Sequence, residues 1–156
     1  MNTVARCHSV SRIYDDEVAP VHALRNVDFH LERGEFVSLA GPSGSGKSTL
    51  LHVIGALDEP TDGSVEVDGV SLDGLKAREL SDLRLEKIGF VFQAFNLIPV
   101  LTARENVEFI MQLQGIDSAS RRERAEEALR SLDLGELADR RPNEMSGGQQ
   151  QRVAIA

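Results

Sequence analysis

Gly41-Pro42-Ser43-Gly44-Ser45-Gly46-Lys47-Ser48 follows G-x-x-x-x-G-K-[ST] without a mismatch. Glycines at these spacings let the backbone curl around a phosphate with its N–H groups turned inward. A helix starting at the end of the loop adds its own free N–H groups and the positive end of its dipole. Lys47 supplies a point charge for the β- and γ-phosphates, and the Ser48 hydroxyl is a hard oxygen ligand suited to Mg²⁺. The bland alternative is a flexible Gly/Ser turn with an exposed lysine. It fails on context, because an apolar strand-like run precedes the loop and a helical pattern follows it. The loop therefore predicts ATP or GTP binding. A second anion-holding stretch, Met145-Ser146-Gly147-Gly148-Gln149, opens another helical pattern near the end of the sequence. Taken alone, it reads equally well as a plain helix start with Ser146 as the cap.

The elements that must position these residues follow from periodicity. Residues 36–40 (Phe-Val-Ser-Leu-Ala) form a short apolar run suited to a buried parallel strand. After the loop, Leu50, Leu51, Val53, Ile54 and Leu57 sit at helical spacing. Residues 4–13 and 21–31 read as strands separated by the polar turn Asp15-Asp16-Glu17, and Arg33-Gly34-Glu35 is a further turn. The turn pairs Asp62-Gly63 and Asp68-Gly69 bracket a short strand at 64–67. Residues 75–86 form a polar helix candidate, and 88–92 is strand-like. Two capping boxes, Thr102-Ala103-Arg104-Glu105 and Ser120-Arg121-Arg122-Glu123, open helices over 107–113 and 125–132. The pattern is an α/β chain with an antiparallel flap and a helical insertion.

A length of 156 residues fits one domain, and 41% hydrophobic with 27% charged residues is ordinary for a globular protein. No apolar run approaches the roughly 20 residues that span a bilayer, and no signal-peptide pattern opens the chain, so a cytoplasmic location is expected. A net charge of −8 argues against broad nucleic-acid binding, although a phosphate site needs only local donors. The single cysteine, Cys7, reads as a small strand residue. The four histidines, His8, His22, His30 and His52, have no spacing that suggests a zinc site.

Three motifs in order resemble the ATP-binding-cassette (ABC) family: the 41–48 loop as Walker A, Phe90-Val91-Phe92-Gln93 as the strand ending in the Q-loop glutamine, and Met145-Ser146-Gly147-Gly148-Gln149 as the signature. Met145 stands where the family places Leu, an apolar swap just outside the anion-holding atoms. The text VFQAFNLIPVLTARENV is similar to the subgroup serving lipoprotein release and macrolide-type efflux. The resemblance covers essentially the whole chain. It implies a P-loop NTPase fold of ABC type, with a core and antiparallel β region over 1–93, a Q-loop and helical region over 94–145 and the start of the signature helix over 146–156. It implies ATP and Mg²⁺ as cofactors, with Thr49 joining residues 41–48 in the nucleotide site, Tyr14 stacking on adenine, and Ser48 and Gln93 on the metal. Lys47 and Gln93 take catalytic roles. Two copies are expected to pack head to tail, so that Ser146, Gly147, Gly148 and Gln149 of one cap the γ-phosphate held by the Lys47 of the other. A membrane permease subunit is the further partner implied, contacted through Gln93 and residues 94–115, with the ATPase peripheral on the inner face of the membrane.

The family's Walker B strand, ending in Asp-Glu, and its histidine loop have no counterpart among these residues. The chain thus reads as an N-terminal part of an ATPase subunit that binds ATP without turning it over. Asp58-Glu59-Pro60-Thr61 spells a sequence found after that missing strand, but the residues before it belong to the helix following the loop, so a helix-ending turn is expected there. Loss of the central strand also predicts exposed apolar surface and a tendency to aggregate. Two other functions stay open from residues alone. A P-loop small-molecule kinase shares only the 41–48 loop, and an ABC protein without a membrane partner is the other.

Overall fold

The computed structural model describes residues 2–15 and 19–156, so most of the expected turn at 15–17 lies outside the described residues. The chain divides into two compact units, Met1–Ile88 and Gly89–Ala156.

The first unit is built on a four-stranded antiparallel sheet. β1 (Thr3–Tyr14), β2 (Val21–Glu32), β3 (Asp62–Val67) and β4 (Val70–Ser71) lie in the order β2-β1-β3-β4. Helices α1 (Lys47–Ile54) and α2 (Ala77–Lys87) complete the unit. Leu50 and Val53 of α1 enter a core with Cys7, Val10, Leu24 and Val65. Burial pushes the Cys7 thiol up to about 11, with the charge of Asp28 adding to the effect, so this cysteine is an inert packing residue.

A bulge in β1 sets the direction of the strand's last side chains. Ala5 and Cys7 face the core at odd positions, but between Cys7 and Val10 the register with β2 slips, and Ser9 takes a φ of 48°. The Ser9 amide, released from the ladder, donates to Asp28 Oδ1 at 2.8 Å. An extra residue in a strand inverts which positions face inward. Val10 is consequently the buried residue after the bulge, and beyond it the Arg12 guanidinium and the Tyr14 ring share one side of the strand. Gly63 makes the bulge possible: it has a φ of 88°, and a Cβ there would lie 2.6 Å from the His8 carbonyl oxygen. Asp62-Gly63 is thus part of β3 rather than the turn expected from its composition.

The second unit contains α3 (Ala103–Leu113), α4 (Ser118–Ser131) and α5 (Gly147–Ile155), with single 3-10 turns at Gly135–Leu137 and Pro142–Glu144. Its core gathers Ala103, Leu129, Leu134, Ala138, Met145 and Val153. The Thr102 box forms as expected, with Glu105 N donating to Thr102 Oγ1 at 3.2 Å and Thr102 N to Glu105 Oε2 at 2.8 Å. The Ser120 box does not form. α4 starts three residues earlier, because Asp117 takes the cap and its Oδ1 accepts from both Ala119 N and Ser120 N at 3.1 Å. A carboxylate is the stronger acceptor at a helix N-terminus, and it satisfies two free amides at once.

The buried parallel strand expected at 36–40 and the strand expected at 88–92 are the main departure. Both segments lie outside any β ladder among the described residues. A parallel strand is held by hydrogen bonds to neighbours at its edges, and among the described residues neither segment makes a ladder pairing. Phe36 is 96% exposed, and Val37, Val91 and Phe92 are exposed as well.

Candidate functional site

The phosphate loop is shaped by left-handed glycines. Gly44 and Gly46 have φ of 79° and 85°, a region in which only glycine is unstrained. At Gly46 the need is also steric, since a Cβ would strike the Ala23 carbonyl oxygen and lie 3.1 Å from Leu24 Cδ2. Gly46 immediately precedes α1 and offers no side-chain cap, which leaves the first amides of that helix open to an anion.

Lys47 turns back over its own loop. Its Nζ donates to the carbonyl oxygens of Pro42 at 2.7 Å and Gly41 at 2.9 Å, and to Ser45 Oγ at 3.3 Å. The ammonium is thus held over the loop that the sequence assigns to phosphate. Ser48 lies exposed in the first turn of α1, with Thr49 half-buried beside it. No cluster of three His, Cys, Asp or Glu side chains suited to a metal occurs among the described residues. An exposed hydroxyl in the first turn nevertheless fits Mg²⁺, which keeps several waters and takes phosphate oxygens with one or two protein ligands.

Tyr14, at the end of β1, is tied to a residue outside the three motifs. Its hydroxyl donates to Asp58 Oδ2 at 2.6 Å, and the Arg12 guanidinium stands 4.5 Å from its ring centroid. Arg12 also grips Asp58 with two nitrogens, Nη2 to Oδ1 at 2.6 Å and Nε to Oδ2 at 3.1 Å. Burial would raise the Asp58 pKa, but the Tyr14 hydroxyl and the Arg12 charge outweigh it and hold the carboxyl below its usual value. Asp58 sits on the turn after α1, as expected, with its amide 3.2 Å from the His52 carbonyl oxygen. Sequence reasoning missed the triad. Arg12 and Tyr14 stand two apart on one strand, a legible hint of a shared face, but nothing local points to a carboxylate 44 residues beyond the tyrosine.

In the second unit, Gln93 lies exposed on a turn. The loop that follows it is fastened to α3 by Asn106, which accepts from Ile98 N at 2.7 Å and donates to the carbonyl oxygens of Thr102 at 2.9 Å and Leu101 at 3.2 Å. Ser146 caps α5: Gln149 N donates to Ser146 Oγ at 3.3 Å, and Ser146 N donates to Gln149 Oε1 at 2.8 Å. Met145 is buried in the core of this unit, a place that an apolar side chain of either shape can fill. Gly147 and Gly148 are exposed, and a Cβ on either would meet nothing within 4 Å. The packing of this chain therefore gives no reason for glycine at either position.

Residues 24–156 match the ABC transporter family. The chain belongs to the ABC transporter family. It is 50% identical over 156 residues to an uncharacterised ABC transporter ATP-binding protein of Thermotoga maritima, covering 100% of this chain and 67% of that protein. It is 49% identical over 152 residues to the ABC transporter ATP-binding protein MJ0796 of Methanocaldococcus jannaschii, covering 95% of this chain and 65% of the relative. The macrolide export ATP-binding/permease protein MacB of Mannheimia succiniciproducens is 46% identical over 147 residues, which are 94% of this chain and 23% of MacB. Among solved structures, a dimeric post-hydrolysis state of the ATP-binding cassette MJ0796 bound to ADP and Pi superposes with a TM-score of 0.90 at 47% identity, covering 97% of this chain and 67% of that one. The chain thus spans about two thirds of the length of its ATP-binding-protein relatives. The fold is that of an ABC cassette, with an antiparallel β subdomain and a helical region.

Proposed function

We propose that the chain is the ATP-binding, energy-coupling part of an export-type ABC transporter. The observation that carries this reading is the Lys47 ammonium held over a loop of left-handed glycines at an uncapped helix start. Such a site binds the β- and γ-phosphates of ATP through backbone amides and one mobile charge. Lys47 then exchanges its loop carbonyls for phosphate oxygens. The Ser48 hydroxyl would hold Mg²⁺, a role the family resemblance also gives to Gln93, and the Tyr14 ring would receive the base. The metal, when bound, neutralises charge between the β- and γ-phosphates.

The signature completes the site of a second copy. The bare Gly147 and Gly148 at the start of α5 leave room for another chain's γ-phosphate, and the Ser146 hydroxyl and the helix amides are donors suited to it. ATP then joins two subunits head to tail. A permease is the remaining partner. Exposed apolar side chains at Val100, Ile110 and Leu113, beyond Gln93, offer it a contact surface in line with the ATP-binding/permease relatives. No helix among the described residues is long and apolar enough to cross a membrane. The proposed attachment is peripheral, through that permease.

Titration with a fluorescent ATP analogue in the presence of Mg²⁺ tests the reading. The chain should bind, and Lys47→Ala should weaken binding severely. Equal affinity of the two proteins refutes the assignment.

A further inference from the structure

We infer that Arg12 and Asp58 are positioning residues that hold the Tyr14 ring ready for a purine base. The inference rests on the proposed nucleotide site and extends it to residues that touch no phosphate.

Three observations converge on the ring. Its hydroxyl is anchored to Asp58 Oδ2 at 2.6 Å, which fixes the far end of a side chain with two free torsions. One face carries the Arg12 guanidinium at 4.5 Å from the centroid, and Tyr14 keeps 36% exposure, the surface we assign to a stacking base. Arg12 is itself held by the two-nitrogen grip on Asp58, and both side chains are largely shielded, at 24% and 20% exposure. Each member of the triad thus fixes the other two.

The connection runs to the phosphate loop. α1 begins at Lys47 and ends at Ile54, and Ala56 then adopts a φ of 55°, which turns the chain back on the helix. Leu57 N and Asp58 N both donate to the His52 carbonyl oxygen, at 2.8 and 3.2 Å. One short helix therefore carries the phosphate-binding lysine at its start and the anchor of the base platform at its end. Glu59, the neighbour that sequence alone marks as a rival for catalysis, is exposed. A ring fixed in advance costs less to order when a base arrives.

Competition against a fluorescent ATP analogue separates this role from a structural one, with ATP and with inorganic tripolyphosphate as competitors, both with Mg²⁺. Loss of preorganisation should weaken ATP by about 3- to 10-fold in Asp58→Ala and in Tyr14→Phe. Tripolyphosphate, which has no base, should bind unchanged. The double variant should lose no more than Asp58→Ala alone, since both changes break one contact. Equal losses for ATP and tripolyphosphate, or unchanged ATP affinity, overturn the inference. Tyr14→Phe removes a single oxygen and decides the matter alone if Asp58→Ala melts early. Tyr14→Ala distinguishes the deeper failure: if it leaves ATP affinity unchanged, the base does not stack there and the nucleotide reading of Tyr14 is wrong.

Discussion

The Lys47 ammonium lies 2.7 Å from the Pro42 carbonyl oxygen, five residues back along its own loop. The lysine is thus satisfied by the fold before any phosphate arrives. These contacts are surface ones that water can replace, so Lys47→Ala should change stability by at most about 1 kcal/mol. The same substitution should cost on the order of a hundredfold in ATP affinity, the size expected for a charged hydrogen-bonding group. Thermal melts alongside binding titrations check the separation; a collapse of stability equal to the loss of binding would contradict it.

Gly46 and the two signature glycines should respond oppositely to alanine. Gly46→Ala places a Cβ against the Ala23 carbonyl oxygen in a left-handed backbone, and should destabilise by roughly 1–3 kcal/mol. Gly147→Ala and Gly148→Ala enter open space in a helix, and should be neutral or stabilising by up to about 1 kcal/mol. Urea denaturation measures both. If ATP joins two copies through these glycines, the last two variants should also lose ATP-dependent dimer formation in sedimentation, despite their intact fold.

The start of α3 should carry an acid-sensitive contribution. Hydrogen bonds from the Thr102 amide and hydroxyl hold the Glu105 carboxyl below its ordinary value of 4.5. Because the folded pKa is depressed, its stabilisation is fully present above that value and is lost as pH falls through the folded one. Thr102→Ala should cost about 1 kcal/mol at neutral pH, and Glu105→Gln should flatten the acid limb of the stability profile. Melting temperatures from pH 7 down to 3 show either outcome.

Turnover by the 156 residues alone should stay near background. Phosphoryl transfer to water needs a group that orients the nucleophile, and loss of one such group typically costs a hundredfold or more. The only Asp-Glu pair after an apolar run that competes for the role is Asp58-Glu59, and Asp58 is held by Arg12 and Tyr14. Phosphate release should therefore be the same for Glu59→Gln as for the parent chain. Robust hydrolysis abolished by that substitution would make Glu59 the residue that orients the water.

The exposed apolar segment at 36–40 should make the isolated polypeptide prone to association. With Phe36 at 96% exposure, Phe36→Ser should lower light scattering at a given concentration without altering ATP affinity. Scattering that is indifferent to this change would place the sticky surface elsewhere.

Local chemistry was enough for the phosphate loop, the Thr102 box and the alternating strands around it. A left-handed turn needs glycine, a helix start needs an oxygen, and a half-buried strand needs alternation, whatever lies far away. The 41–48 loop was legible for that reason, whereas Gln93 and 146–149 gained their reading only from the family resemblance that the order of the three motifs carries. Three things were decided only by tertiary structure. The runs at 36–40 and 88–92 carry strand-like sequence yet form no ladder, since pairing depends on a neighbour and not on the run itself. Asp117 displaced Ser120 as the cap of α4, because the competition turns on which oxygen reaches two free amides. The triad of Arg12, Tyr14 and Asp58 exists because a one-residue bulge at Ser9 turns the end of β1 toward the residue that follows α1. A bulge inverts the facing of every residue beyond it, and its partner is a strand distant in sequence, so no reading of β1 alone could have placed that ring.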